Sequence, residues 1–80
     1  MIAKLAEIQL WQRNLASLIR SGLFVRAQTG EANGLFTVVG VYGDGTVSAP
    51  LAKYSDYRRA LDAADLANYL ARQNRSVEAN

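Results

Sequence analysis

Between Leu35 and Pro50 the chain reads Leu-Phe-Thr-Val-Val-Gly-Val-Tyr, then Gly-Asp-Gly, then Thr-Val-Ser-Ala-Pro. Two alternating runs joined through Asp44-Gly45 mark a β-hairpin, because a type I′ turn needs positive φ at both central positions. Segments of helical periodicity flank this stretch on both sides. Few arrangements satisfy that order in 80 residues. The hairpin buries one face, and the helices must supply the second layer.

On the N-terminal side, residues 2 to 20 set Leu5, Ile8, Trp11, Leu15, Leu18 and Ile19 on one helical stripe. Lys4, Glu7, Gln12, Arg13, Asn14, Ser17 and Arg20 fall elsewhere, and Ser21-Gly22 is a stop signal. Leu23 to Thr29 alternates as a strand, with Leu23, Val25 and Ala27 on one face and Phe24, Arg26 and Gln28 on the other. Gly30 to Gly34 reads as a loop. With Asp44-Gly45 as the turn, Tyr42 faces Val47 and Gly40 faces Ala49 across the hairpin. One side of the sheet then collects Phe36, Val38, Gly40, Tyr42, Val47, Ala49 and Leu51. Thr37, Val39, Val41, Thr46 and Ser48 take the other, joined by Phe24, Arg26 and Gln28.

Ser55 is the expected N-cap of a final helix, with Asp56 in its first turn. Its stripe of Tyr57, Ala60, Leu61, Ala64, Ala67 and Ala71, widened by Ala63, Leu66 and Leu70, lets the helix lie close to the sheet. Trp11 is expected in the core, Tyr42 and Tyr57 between helix and sheet with their hydroxyls reaching water, and Tyr54 and Tyr69 freer. Residues 74–80 read as a frayed tail behind a single domain over 1–73. The expected fold is α+β: a small two-layer α-β-β-β-α domain with a three-stranded antiparallel sheet and both helices on one face.

Composition narrows the chemistry. The chain has no Cys and no His, so it lacks the main transition-metal ligands, the thiol nucleophile and the imidazole base. No metal site and no cofactor are expected. Asp62 and Asp65, at i,i+3 beside Arg58 and Arg59, read as solvated charges on a helix rather than an acid–base pair. Gly40, Gly43 and Gly45 lie inside a hairpin, whereas a phosphate-binding loop needs amides converging at a helix start. The expected protein is therefore not an enzyme. Its interrupted, charge-bearing N-terminus matches neither a signal peptide nor a membrane span, so it is read as cytoplasmic.

Two surfaces remain as candidates. On the uncovered sheet face, Phe24, Val39 and Val41 would form an apolar strip bordered by Arg26, the kind of patch that a partner protein or a second copy covers. Tyr69 and Arg72 add a helical set. The other surface is basic. Lys53, Arg58 and Arg59 gather at the start of the last helix, with Arg13 and Lys4 on the first, and offer phosphate contacts. The net charge is only +2, and all but two of the nine cations are Arg, which suits bidentate contact with carboxylate or phosphate.

The element order, the Phe36-Thr-Val-Val start of the second strand, and Arg58-Arg59-Ala60 leading into a helix with Ala63 and Ala64 resemble the double-stranded-RNA-binding domain. The likeness is one of topology. It implies that the 30–34 loop would enter a minor groove. It also implies that Lys53, Arg58 and Arg59 would grip phosphates, while Lys4, Gln12 and Arg13 touch the other minor groove. The loop carries Glu31, and the basic run is only two residues long. Weighed together, these features point to a small non-enzymatic binding protein whose partner is another protein. It would be of the accessory or inhibitor type found among small phage and plasmid proteins that block host machinery. Duplex nucleic-acid binding is the alternative.

Overall fold

The computed structural model describes residues 9–79, with side chains described for 9–73. Lys4, Leu5 and Ile8 lie outside the described residues. The elements are α1 (Leu10–Arg20), β1 (Phe24–Ala32), β2 (Leu35–Tyr42), β3 (Ala52–Tyr54) and α2 (Tyr57–Ala79). The antiparallel sheet runs in the order β1-β2-β3, and the chain order is α-β-β-β-α, as expected. Leu15 of α1 and Ala60, Ala63, Ala64 and Ala67 of α2 join Phe24, Ala27 and Val38 in one buried cluster. Both helices therefore cover the same sheet face. The alanine stripe is buried as its spacing predicts, through Ala71.

Each helix end has a local cause. At the C-terminus of α1 the Gly22 N–H donates to the Ile19 carbonyl and the Leu23 N–H to that of Leu18, both at 3.1 Å, a Schellman closure at the expected stop. The cap of α2 sits one residue later than expected. Asp56, not Ser55, accepts the Arg58 N–H at 3.2 Å. Residues 74–79, set apart by the sequence as a tail, fall within the bounds of α2.

The hairpin turns exchange roles. Asn33 and Gly34 have φ of 54° and 79°, and Ala32 pairs with Leu35, so the two-residue type I′ geometry belongs to Asn33-Gly34. The expected 30–34 loop is the end of β1 plus that turn. At the second hairpin only Gly45 takes positive φ, 93°, and the Gly45 N–H donates to the Tyr42 carbonyl at 3.0 Å. That is a three-residue Gly43-Asp44-Gly45 turn with the left-handed residue last. Adding one residue moves the register: Val41, not Tyr42, lies opposite Val47. Ser48 donates its N–H to the Gly40 carbonyl, and Leu51 donates to that of Val38. Ala49 and Pro50 fall between these two bonds, and regular pairing resumes at Ala52 opposite Val38. The third strand is thus interrupted around Pro50, which has no N–H to give.

A bulge in β1 overturns the expected faces of that strand. Phe24 pairs with Tyr42 and Arg26 with Val41, leaving Val25 as the extra residue. Phe24 and Ala27 both reach the helix-covered face, three positions apart, and both are buried. Phe24, expected on the open face, is therefore a core residue at 5% exposure, and Val25, expected to share a face with Ala27, is 53% exposed. The Phe24 ring lies over Gly40, where a Cβ would stand 2.7 Å from its carbons, and 4.9 Å from the Tyr42 ring centre. Gly40 thus receives an aromatic ring, and not the close helix approach expected of a Gly40–Ala49 pair.

Smaller corrections follow from the same packing. Gln12, expected on the polar side of its helix, is 4% exposed. It accepts the Gln9 N–H at 2.9 Å and donates to the Ala63 carbonyl at 3.3 Å, joining the two helices. Leu18 and Tyr57 are more exposed than a core position allows, although Tyr57 stands edge-on to Phe36 at 5.5 Å. Trp11 and Tyr42 pack against the core as expected, and Tyr54 does so too.

Candidate functional site

The face of the sheet away from the helices carries Arg26 and Gln28 from β1, Thr37, Val39 and Val41 from β2, and Val47 and Lys53 on the far side. Val39 and Val41 sit on this face as the alternation of β2 requires, yet they are only 5% and 3% exposed. They belong to the central strand. Gln28 and Arg26 flank them on one side, and Val47 flanks Val41 on the other. An Arg26 Nη2 hydrogen bond to Gln28 Oε1 at 3.1 Å runs along that border. With Phe24 turned inward, the expected apolar strip is not an open surface.

A different concavity brings three of the expected partner residues together. A groove of about 510 Å³ opens between the end of α1, the start of β1 and the later turns of α2. Ile19, Phe24 and Ala71 form its apolar part, Val25 and Gly22 stand at the chain turn, and Arg26, Asn68 and Arg72 supply the polar groups. Phe24 and Ala71 are buried, so they make the floor; Arg72 is exposed, and the exposed Arg26 turns its guanidinium to Gln28 on the open sheet face. No carboxylate lines it among the described residues. The β1 bulge produces this arrangement by sending Phe24 down into the floor and setting Arg26 on the opposite face.

Asn68 secures the edge beside the groove. Its Oδ1 accepts the Ala27 N–H at 2.8 Å and its Nδ2 donates to the Ala27 carbonyl at 3.1 Å. Tyr69 is half-exposed on α2 one turn before Arg72, bonded to Gln73, and does not line the groove. The sequence placed Ile19 and Ala71 on buried stripes and Val25 on a strand face, and marked none of them, nor Asn68, for binding. Only Asn68 leaves a trace there: an amide amid the buried alanines of α2 needs a specific partner.

The basic set is dispersed over separate elements. Arg13 is exposed on α1, Lys53 on β3, and Arg58 and Arg59 in the first turn of α2. The Asp56 carboxylate already holds an amide at that helix start and places a negative charge there. Gln12 is buried against α2, so its expected minor-groove contact has no surface to act from. Asp62 and Asp65 are exposed. Asp44 has its carboxyl held below the ordinary value by hydrogen bonds from the Thr46 hydroxyl and the Thr46 N–H. Among the described residues no three His, Cys, Asp or Glu side chains gather as a metal site, and no helix is long and apolar enough to cross a membrane. No known protein family, curated protein or solved structure matches the chain, so the groove's geometry alone carries the functional reading.

Proposed function

We propose that this chain is a non-enzymatic binding protein of the accessory or inhibitor type, and that it presents the groove beside the β1 bulge to another protein. The observation that supports this is a concavity with an apolar floor, Phe24 with Ile19 and Ala71, and two exposed arginines, Arg26 and Arg72, among its lining residues. Interface centres are enriched in aromatic and Arg side chains for the same reason: they combine apolar area with directional hydrogen bonding. Val25, which lines the groove and is exposed, extends the apolar area outward.

Site-specific photocrosslinking tests the reading. A photoreactive phenylalanine analogue placed at Val25 is expected to give a protein adduct in cells expressing the chain, and one placed at Arg59 is not. Nuclease-sensitive adducts at Arg59, with none at Val25, would replace the proposal with nucleic-acid binding. That outcome would be accompanied by binding to a short RNA duplex that weakens steeply with salt. An adduct at Val25 of twice the chain's own mass identifies a second copy as the partner.

A further inference from the structure

Beyond the groove, we infer that the far half of β1, residues 28–32, pairs edge to edge with the same stretch of a second copy of this chain. The sheet order leaves β1 with one neighbour, β2. Ala32 and Leu35 close a two-residue turn and so form a hydrogen-bonded pair. The alternation of an antiparallel ladder then makes Gly30 and Gln28 bond inward to β2, while Ala27, Thr29 and Glu31 point their N–H and C=O outward. At Ala27 the outward direction is seen directly, because Asn68 takes both groups. Among the described residues nothing bonds the outward groups of Thr29 and Glu31. An edge left in that state is a template for another strand.

Register is what points to a second copy. With Ala27 capped, antiparallel self-pairing can set Thr29 opposite Thr29, Glu31 opposite Glu31, or Thr29 opposite Glu31. The first satisfies one residue per copy. The second does the same and also sets two carboxylates against each other. The third satisfies both residues of both copies at once, through four hydrogen bonds. It places Gly30 against Gly30 on the two-fold axis, at the closely spaced position where neither copy has a side chain. The paired stretch then runs from Gln28 to Ala32 in each copy. It ends where the second copy turns away at Asn33, opposite the Ala27 that Asn68 already holds. The open edge therefore matches itself in length and phase, as a two-fold contact requires. A contact this short makes a transient dimer, not an obligate one. Val25 and the groove lie outside the paired stretch.

The test uses the full chain. Sedimentation equilibrium from about 10 μM to about 1 mM covers the range in which so small a contact dissociates. The mass is expected to rise with concentration toward twice that of the chain. In a mixture of isotope-labelled and unlabelled chain, a filtered NOE is expected between the Gly30 Hα protons of the two copies, a contact that marks this register. Thr29→Pro removes one outward N–H from each copy and spares the ladder to β2, since Pro is tolerated where an edge strand faces away from its neighbour. It is expected to weaken the dimer at least about tenfold. Where that variant fails to fold, the Gly30 contact of the parent chain decides. A chain that stays monomeric throughout overturns the inference, as does a dimer without the Gly30 contact or one that a folded Thr29→Pro leaves unchanged. The groove reading is judged separately, by the Val25 adduct to a different protein.

Discussion

The side-chain amide of Asn68 pairs with both backbone groups of Ala27, accepting its N–H at 2.8 Å and donating to its carbonyl at 3.1 Å. Ala27 lies on an edge strand, where the outward N–H and C=O otherwise meet water or another chain. Asn68→Ala removes both partners from a buried residue and is expected to cost about 1–3 kcal/mol. Urea unfolding measures the loss, and amide exchange at Ala27 localises it. Asn68→Asp keeps an acceptor for the N–H but sets a carboxylate against the Ala27 carbonyl, so it is expected to be no better than Ala. An Asn68→Ala protein as stable as the parent would show that the clamp is incidental.

Gly40 and Phe24 are matched in shape. An alanine methyl at Gly40 would stand 2.7 Å from the ring carbons, closer than a core tolerates without movement. Gly40→Ala is expected to destabilise by about 1–3 kcal/mol through overpacking. Phe24→Leu alone is also destabilising, but the two together are expected to cost less than their sum, because the smaller side chain makes room for the methyl. A double-mutant cycle by chemical denaturation checks this. Strict additivity would deny the contact.

Gln12 works inside the fold. It closes the α1 start through Gln9 and reaches the Ala63 carbonyl of α2. Gln12→Ala is therefore expected to lower stability by about 1–2 kcal/mol. A Gln12→Ala protein that unfolds at the parent's urea concentration is the opposite result.

The tip of the second hairpin carries a pH signature. Thr46 donates both its hydroxyl and its N–H to Asp44 Oδ1, at 2.7 and 3.0 Å, and so favours the ionised carboxylate. The folded chain holds that proton less tightly than the unfolded chain does. The carboxylate's contribution is thus present above the unfolded-state value and fades as pH falls through the lower folded one. Carboxyl NMR is expected to show Asp44 titrating below its ordinary value, and Thr46→Val to move it upward. The side chain is fully exposed, so the effect belongs to the turn and leaves global stability nearly untouched.

At the first hairpin, Asn33 has φ of 54°. Asn33→Ala is expected to cost about 1–2 kcal/mol, the left-handed penalty that Asn and Gly largely escape. Asn33→Gly is expected to be tolerated. Thermal unfolding of the pair distinguishes a backbone requirement from a side-chain one.

These residues also show where the sequence was legible. Element order, the shared face of the helices and the buried alanine stripe follow from periodicity, which acts over many positions and outvotes local exceptions. The strand faces depend on single residues. One extra residue at Val25 sent Phe24 to the opposite side, and a third residue in the Gly43-Asp44-Gly45 turn moved Val47 opposite Val41. Two Gly-containing dipeptides, Asn33-Gly34 and Asp44-Gly45, compete for one turn type, and composition alone does not rank them. Arg26 drew notice at the border of the open sheet face, and Arg72 beside Tyr69 on the last helix. Their common groove depends on the bulge and on α2 passing beside β1, which no spacing along the chain encodes.

The supernumerary Val25 acts as a phase break between two parts of the molecule. Residues on its N-terminal side answer to the helix junction, and those on its C-terminal side answer to the alternation of β2. Changes of chain length or chemistry in the 21–25 connection can thus reshape the groove while the paired strands beyond keep their inside and outside.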